Sequence, residues 1–207
     1  MIRKKILNPT SSLLEGFDDV GTPDMKYYAF DWDDNIMMMP TKIIVKDEND
    51  NEVGMSTEDF AEYRSEIGVE PFDYKGSKIV GYSDEPFRNF RTGGDKQFKI
   101  DTMKGKPGPA WSDFVEAINN GSIFSIITAR GHNPETIKDA IYNLIISDHM
   151  GINKDLLIKN LRKFRDLSNM EDKSDMELIK DYMDMNKYYP VSFGTDAGAA
   201  NPEELKV

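Results

Sequence analysis

Asp31 and Asp33 stand one residue apart, directly after the aromatic run Tyr27-Tyr28-Ala29-Phe30. Thr128 closes a second apolar run, Ile123–Ile127, and Asp196 follows a third, Pro190–Phe193. Lys173 stands at the start of a helical pattern leading to that third run. Two close acids, a distant acid, a hydroxyl and a lysine suit one chemistry. Oxygen ligands hold Mg²⁺, which keeps several waters beside a few carboxylates and a substrate phosphate. The hydroxyl and the ammonium would then bind phosphate oxygens.

Elements must bring these residues together. Tyr27–Phe30 is too short for a helix and too apolar for a loop, so it reads as a buried central strand. Trp111–Asn119 has apolar residues at 111, 114, 115 and 118, one helical face, and Asn120-Gly121 ends it. Ile123–Ile127 reads as a strand, and Asn133-Pro134 opens a helix over Glu135–His149. Asp155–Phe164 reads as a further strand or helix. Asp172 is placed to cap a helix over Asp175–Met185, and Pro190–Phe193 is the last strand. The alternation predicts an α/β fold, a parallel sheet covered on both faces. In such sheets ligands bind outside the carboxyl ends of the strands, where Asp31, Asp33, Thr128 and Asp196 fall.

Residues 1–23 read as an N-terminal arm with loop signals at Asn8-Pro9, Gly16, Gly21 and Pro23. Residues 38–106 are less regular. They hold a β-branched run at Thr41–Lys46, a polar turn at Asp47–Glu52 and a helix over Glu58–Ile67 capped by Ser56 or Thr57 with Gly68 as its stop. Strands are expected at Gly76–Tyr82 and near Gln97–Ile100. The acidic turn invites a calcium-loop reading, but Glu52 occupies the place where such loops need glycine, so a hairpin is preferred. Met37-Met38-Met39 reads as packing.

Tyr28-Ala29-Phe30-Asp31-Trp32-Asp33-Asp34-Asn35-Ile36 resembles the first motif of the haloacid dehalogenase-like (HAD-like) phosphatases, a strand followed by Asp-x-Asp-x-Thr/Val-Leu/Ile. Ser125-Ile126-Ile127-Thr128-Ala129-Arg130-Gly131 is similar to their second motif, Lys173 to the third and Phe193-Gly194-Thr195-Asp196 to the fourth. The resemblance covers residues 25–38 and 107–205. Asn35 stands where Thr or Val is usual, and Ala200 occupies the place of a second acid. The resemblance implies a three-layer α/β/α sandwich with a Rossmann-like parallel sheet: core at 24–37 and 107–207, cap or flap inserted at 38–106. It implies Asp31 as nucleophile and Asp33 as general acid and base. Mg²⁺ would be held by Asp31, Asp196 and the Asp33 backbone carbonyl, and phosphate by Thr128, Ala129 and Lys173. Arg130 and His132 become candidates to touch substrate, with a solvated loop as the alternative for His132. Lys159, Lys163 and Lys180 compete with Lys173.

Composition sets the limits. The chain has 207 residues, 39% hydrophobic and 30% charged, which fits a folded protein. It has no cysteine and only two histidines, His132 and His149, which excludes thiolate sites and histidine-rich metal sites. No apolar run approaches a membrane span, and no signal peptide is recognised, so a cytoplasmic protein is expected. A net charge of −11 disfavours long nucleic acid as a partner and leaves a small phosphorylated substrate compatible. The expected activity is a Mg²⁺-dependent phosphomonoesterase, with phosphotransfer to another acceptor as a variant. A catalytically inactive HAD-like ligand- or protein-binding module is the alternative from another class.

Overall fold

The computed structural model describes residues 27–167 and 173–191. The N-terminal arm, the expected cap Asp172 and the expected metal ligand Asp196 lie outside the described residues. The described residues group into two compact units, one of 27–38, 106–128 and 137–189, the other of 39–105, 129–136 and 190–191.

The first unit is built on a three-stranded parallel sheet, β1 (Tyr28–Phe30), β8 (Phe124–Thr128) and β9 (Lys187–Pro190), in the order β1-β8-β9. Tyr28 pairs with Phe124 and Phe30 with Ile126. Parallel neighbours need helical crossovers, and the sequence supplies α3 (Trp111–Asn119), α4 (Pro134–Ile146, whose first turn groups with the second unit), α5 (Lys154–Leu167) and α6 (Asp175–Met185). In α4, residues 137, 140, 141, 144 and 145 are buried, the three-and-four spacing of one helical face. Phe114 on α3 meets Phe30 and Phe124 edge-on at 5.4 and 5.5 Å, and Tyr182 on α6 meets Phe124 at 6.1 Å. A two-stranded antiparallel ribbon, β2 (Met37–Met38) with β7 (Lys106–Pro107), carries the chain out of this unit and back.

Several boundaries differ from expectation. Asp155–Phe164 lies within the helix α5, with Leu157, Ile158 and Leu161 as its buried stripe. α4 stops at Ile146 because Asp148 and Met150 adopt positive φ, and the Trp111 indole donates to the Met150 carbonyl at 3.0 Å. The last strand is Lys187–Pro190, not Pro190–Phe193. Asn186, directly after α6, accepts from the Phe124 amide at 2.7 Å and starts the pairing early. α6 is capped by Ser174, whose hydroxyl accepts from the Glu177 amide while Glu177 reaches back to the Ser174 amide.

The second unit is a four-stranded antiparallel sheet in the order β4-β3-β6-β5: β3 (Ile43–Asp47), β4 (Glu52–Met55), β5 (Phe72–Tyr74) and β6 (Ser77–Tyr82). Val45, Met55, Ile67, Tyr74 and Ile79 form its core, with Phe60 and Tyr63 of α1 (Thr57–Tyr63) packed against it. The acidic run is a hairpin turn closed by its own first residue, since Asp47 Oδ1 accepts from the Asn49 and Asn51 amides at 2.9 and 2.8 Å. The strand expected near Gln97–Ile100 is instead α2 (Asp95–Lys104), which buries Phe98, Asp101 and Thr102. Two of those three are polar, which hides the helical period from hydropathy.

Candidate active site

β1 ends at Phe30 and the chain folds at once into a tight turn. The Ile36 amide returns to the Asp31 carbonyl at 3.3 Å, the Met37 amide to the Trp32 carbonyl at 3.1 Å, and the Asp34 amide to the Met37 carbonyl at 3.0 Å. Asp34 takes φ +55, a left-handed conformation that Asp tolerates better than most residues. Trp32 and Ile36 are fully buried and anchor the turn, so the acids between them face outward.

A second loop locks this turn. The Gly108 amide donates to the Ile36 carbonyl and the Ala110 amide to the Asn35 carbonyl, both at 2.9 Å. A β-carbon on Gly108 would lie 2.3 Å from the Asn35 carbonyl oxygen, so only glycine permits this approach. Its signal was present in Pro107-Gly108-Pro109, but nothing local in that tripeptide says which backbone it touches.

Asp31 is exposed as a residue, yet its carboxylate is partly covered. That partial burial pushes its carboxyl above the ordinary range, and the charges of Asp33 and Asp34 add to it, against the hydrogen bond from the Trp32 amide at 2.7 Å. Like charges crowded at a strand end are relieved by a cation or by a proton. The acids therefore fit a divalent ion chemically, although no three His, Asp or Glu side chains converge as a metal group among the described residues.

Thr128 is the last residue of β8 and is buried. Because β1 and β8 are parallel, with Phe30 level with Ile126, Asp31 and Thr128 leave the sheet at the same end. Lys173 directly precedes Ser174, the cap of α6. The Tyr182 hydroxyl donates to the Ser122 carbonyl at 2.8 Å and Asn186 holds Phe124, so the end of α6 sits at the start of β8. Lys173 Nζ donates to Asp181 Oδ2 at 2.7 Å. Lys173, and behind it Arg165, hold the Asp181 carboxyl below its usual range. Asp181, eight residues along the chain, is thus the lysine's partner on α6.

Arg130 and His132 belong to the second unit and are buried there. Arg130 is 1% exposed, its guanidinium lying 4.7 and 4.9 Å from the ring centres of Phe90 and Phe98. It donates to Thr41 Oγ1 at 3.1 Å and to the Asn89 carbonyl at 3.4 Å, and Thr41 donates onward to Asp101 at 2.8 Å. His132 Nδ1 faces Asp95 Oδ1 at 3.2 Å, an oxygen that also accepts from Thr136 at 2.8 Å. Burial and the nearby Arg130 charge lower the His132 pKa, against the pull of Asp95. These two side chains tie separate segments of the second unit together.

Comparisons with protein-family models, with curated proteins and with solved structures found no match.

Proposed function

We propose that the chain is a magnesium-dependent phosphohydrolase working through Asp31, of the HAD-like kind its motifs resemble. Its parallel sheet would then be the centre of a three-layer α/β/α sandwich. The observation that supports the reading is that Asp31 and Thr128 lie at the same end of neighbouring parallel strands. The acid has a raised carboxyl and the threonine is buried.

The chemistry divides into two displacements. The Asp31 carboxylate attacks phosphorus in line, and the ester P–O bond breaks as Asp33 gives its proton to the departing oxygen. Asp33 then takes a proton from water, which attacks the same phosphorus. The bond to Asp31 breaks, releasing inorganic phosphate and restoring the carboxylate. The Thr128 hydroxyl, the Ala129 amide and Lys173 bind the phosphoryl oxygens and stabilise charge that builds on them. Lys173 exchanges part of its hold on Asp181 for the phosphate. A magnesium ion held by Asp31, the Asp33 carbonyl and Asp196 would offset the repulsion between anionic nucleophile and anionic ester. A small phosphorylated metabolite or nucleotide fits the net charge of −11 better than a long nucleic acid does.

The test is hydrolysis of p-nitrophenyl phosphate by the full chain, with magnesium and with chelator, beside Asp31→Asn. Turnover is expected to need magnesium and to fall by about 10³-fold or more in the variant. Beryllofluoride, which mimics an aspartyl-phosphate, should bind the wild type and not Asp31→Asn. If neither turnover nor Asp31-dependent binding is seen, the enzyme reading fails and a non-catalytic binding module takes its place.

A further inference from the structure

The turn after β1 is held from two sides, and the two sides hold different acids. Asp31 continues directly from Phe30, whose place is set by pairing with Ile126 of β8. Asp33 stands two residues further on. It forms an isolated parallel bridge with Met37, and the neighbouring Asp34 amide donates to the Met37 carbonyl at 3.0 Å. Met37 in turn pairs with Pro107 in the ribbon of β2 and β7, and the Gly108 amide donates to the Ile36 carbonyl at 2.9 Å. The parallel sheet therefore places Asp31, and the loop Lys106–Ala110 places Asp33.

Gly108 is the tightest point of that second hold. A β-carbon there would lie 2.3 Å from the Asn35 carbonyl oxygen, 2.8 Å from its carbon and 3.0 Å from the carbonyl carbon of Ile36. All three are backbone atoms, so no side chain can swing aside to make room. Gly108 is not among the glycines with positive φ. Glycine is needed here for the close approach and not for an unusual backbone conformation. A larger residue would have to push residues 35–37 away by several tenths of an ångström. Trp32, Ile36 and Met37 are fully buried, and close-packed surroundings leave little slack to absorb that push.

We propose that Gly108 is a positioning residue for Asp33, setting where that carboxyl stands relative to the Asp31 carboxylate. The placement stands on backbone contacts alone; its consequence for turnover rests on the phosphohydrolase reading. Asp31 attacks phosphorus whatever the leaving group, whereas proton donation by Asp33 matters most when the departing oxygen is strongly basic. Moving Asp33 while Asp31 stays on its strand should therefore penalise basic leaving groups selectively.

The test compares the full chain with Gly108→Ala on phenyl phosphate, whose leaving group is the more basic, and on p-nitrophenyl phosphate, both with magnesium. In the variant, kcat/KM for phenyl phosphate should fall at least about tenfold further than kcat/KM for p-nitrophenyl phosphate. That ratio does not depend on how much of the variant is folded, so equal losses on the two esters would overturn the proposal. Amide hydrogen exchange tests the placement without substrate. The Ile36 and Met37 amides, bonded to the Asp31 and Trp32 carbonyls, should exchange at least about fivefold faster in Gly108→Ala. The Tyr28 amide, bonded to the Ile123 carbonyl, should stay within about twofold. Gly81→Ala, at a glycine of β6 with open space where the β-carbon would go, should move neither readout. Unchanged exchange at Ile36 and Met37, or equal acceleration at Tyr28, would refute the two-sided hold. If Gly108→Ala does not fold, Pro107→Gly takes its place. Pro107 is exposed and paired with Met37, so this change loosens the same loop and should shift both readouts the same way by about twofold or more; unchanged readouts would again count against the proposal. A wild type that turns over neither ester, with Ile36 and Met37 still responding in exchange, would end the phosphohydrolase reading and the role in turnover with it.

Discussion

Two charged centres in this molecule make opposite use of similar groups. At the end of β1, Asp31, Asp33 and Asp34 crowd together, and partial burial, with the charges of Asp33 and Asp34 adding to it, raises the Asp31 carboxyl. In the second unit, Arg130 is sandwiched between two rings and hydrogen-bonded to Thr41 and Asn89. The first arrangement gathers like charges beside an acid exposed to solvent. The second buries its charge among rings and hydrogen-bond acceptors. Polarity alone does not mark a site; the difference lies in where the charge sits and whether solvent reaches it.

Stability measurements separate the two centres most sharply. Arg130→Ala removes the contact with both rings, opens a cavity between them and deprives Thr41 and Asn89 of a donor. It should destabilise the protein by about 3 kcal/mol, read as a lower urea midpoint. Asp31→Asn should stay within about 0.5 kcal/mol of wild type by the same measurement, because the residue is exposed and loses only repulsion from its neighbours. Equal losses in the two variants would break the distinction between a buried and an exposed charged centre.

The same contrast governs what the sequence revealed. β8, α3 and α6 were readable because their apolar residues recur at the period of the element itself. α6 was read to its observed bounds, Asp175–Met185. That Asp31 and Thr128 stand at strand ends of a parallel sheet was likewise legible from two apolar runs, each ending in a polar residue; that the two strands are neighbours was not. α2 was misread as a strand because its buried face is Phe98, Asp101 and Thr102, and Asp101 accepts from Thr41, sixty residues earlier, as well as from Gln97. The packing of Arg130 and His132 was hidden for the same reason. Their partners Phe90, Phe98 and Asp95 are remote in sequence, and no local pattern announces them. The strand β9 was placed three residues late because Pro190–Phe193 is the more apolar run, while pairing is set by Asn186 at the end of α6.

A smaller effect tests the positioning of Lys173. Ser174 caps α6 directly beside it, and its hydroxyl and amide both engage Glu177. Ser174→Ala should cost about 1 kcal/mol of stability and loosen the turn that aims the lysine. Ser174→Asp, which caps as well, should restore the midpoint. If Lys173 binds the phosphoryl group, the alanine variant should also lower turnover of p-nitrophenyl phosphate more than thermal unfolding accounts for, and the aspartate variant should recover it.

The finest test concerns His132. Its pKa is lowered from the ordinary value of 6.5, first by burial and then by Arg130, with Asp95 and a hydrogen bond to the Asn89 backbone opposing the shift. A base with a lowered pKa binds fewer protons folded than unfolded over the window between the two values. In that window stability rises with pH. The contribution is therefore complete above about pH 6.5 and is lost as pH falls from 6.5 toward the folded value. Urea midpoints at a series of pH values from 7.5 down to 5 should decline for the wild type over this window. His132→Gln, which keeps a donor toward Asp95 but cannot titrate, should flatten that decline. Carboxylates such as Asp59, held low by Lys75 and Tyr74, add their own loss only at more acidic pH. A decline that persists unchanged in His132→Gln would assign the acid sensitivity to another group and show that the second unit's buried charge is less closed to protons than its packing implies.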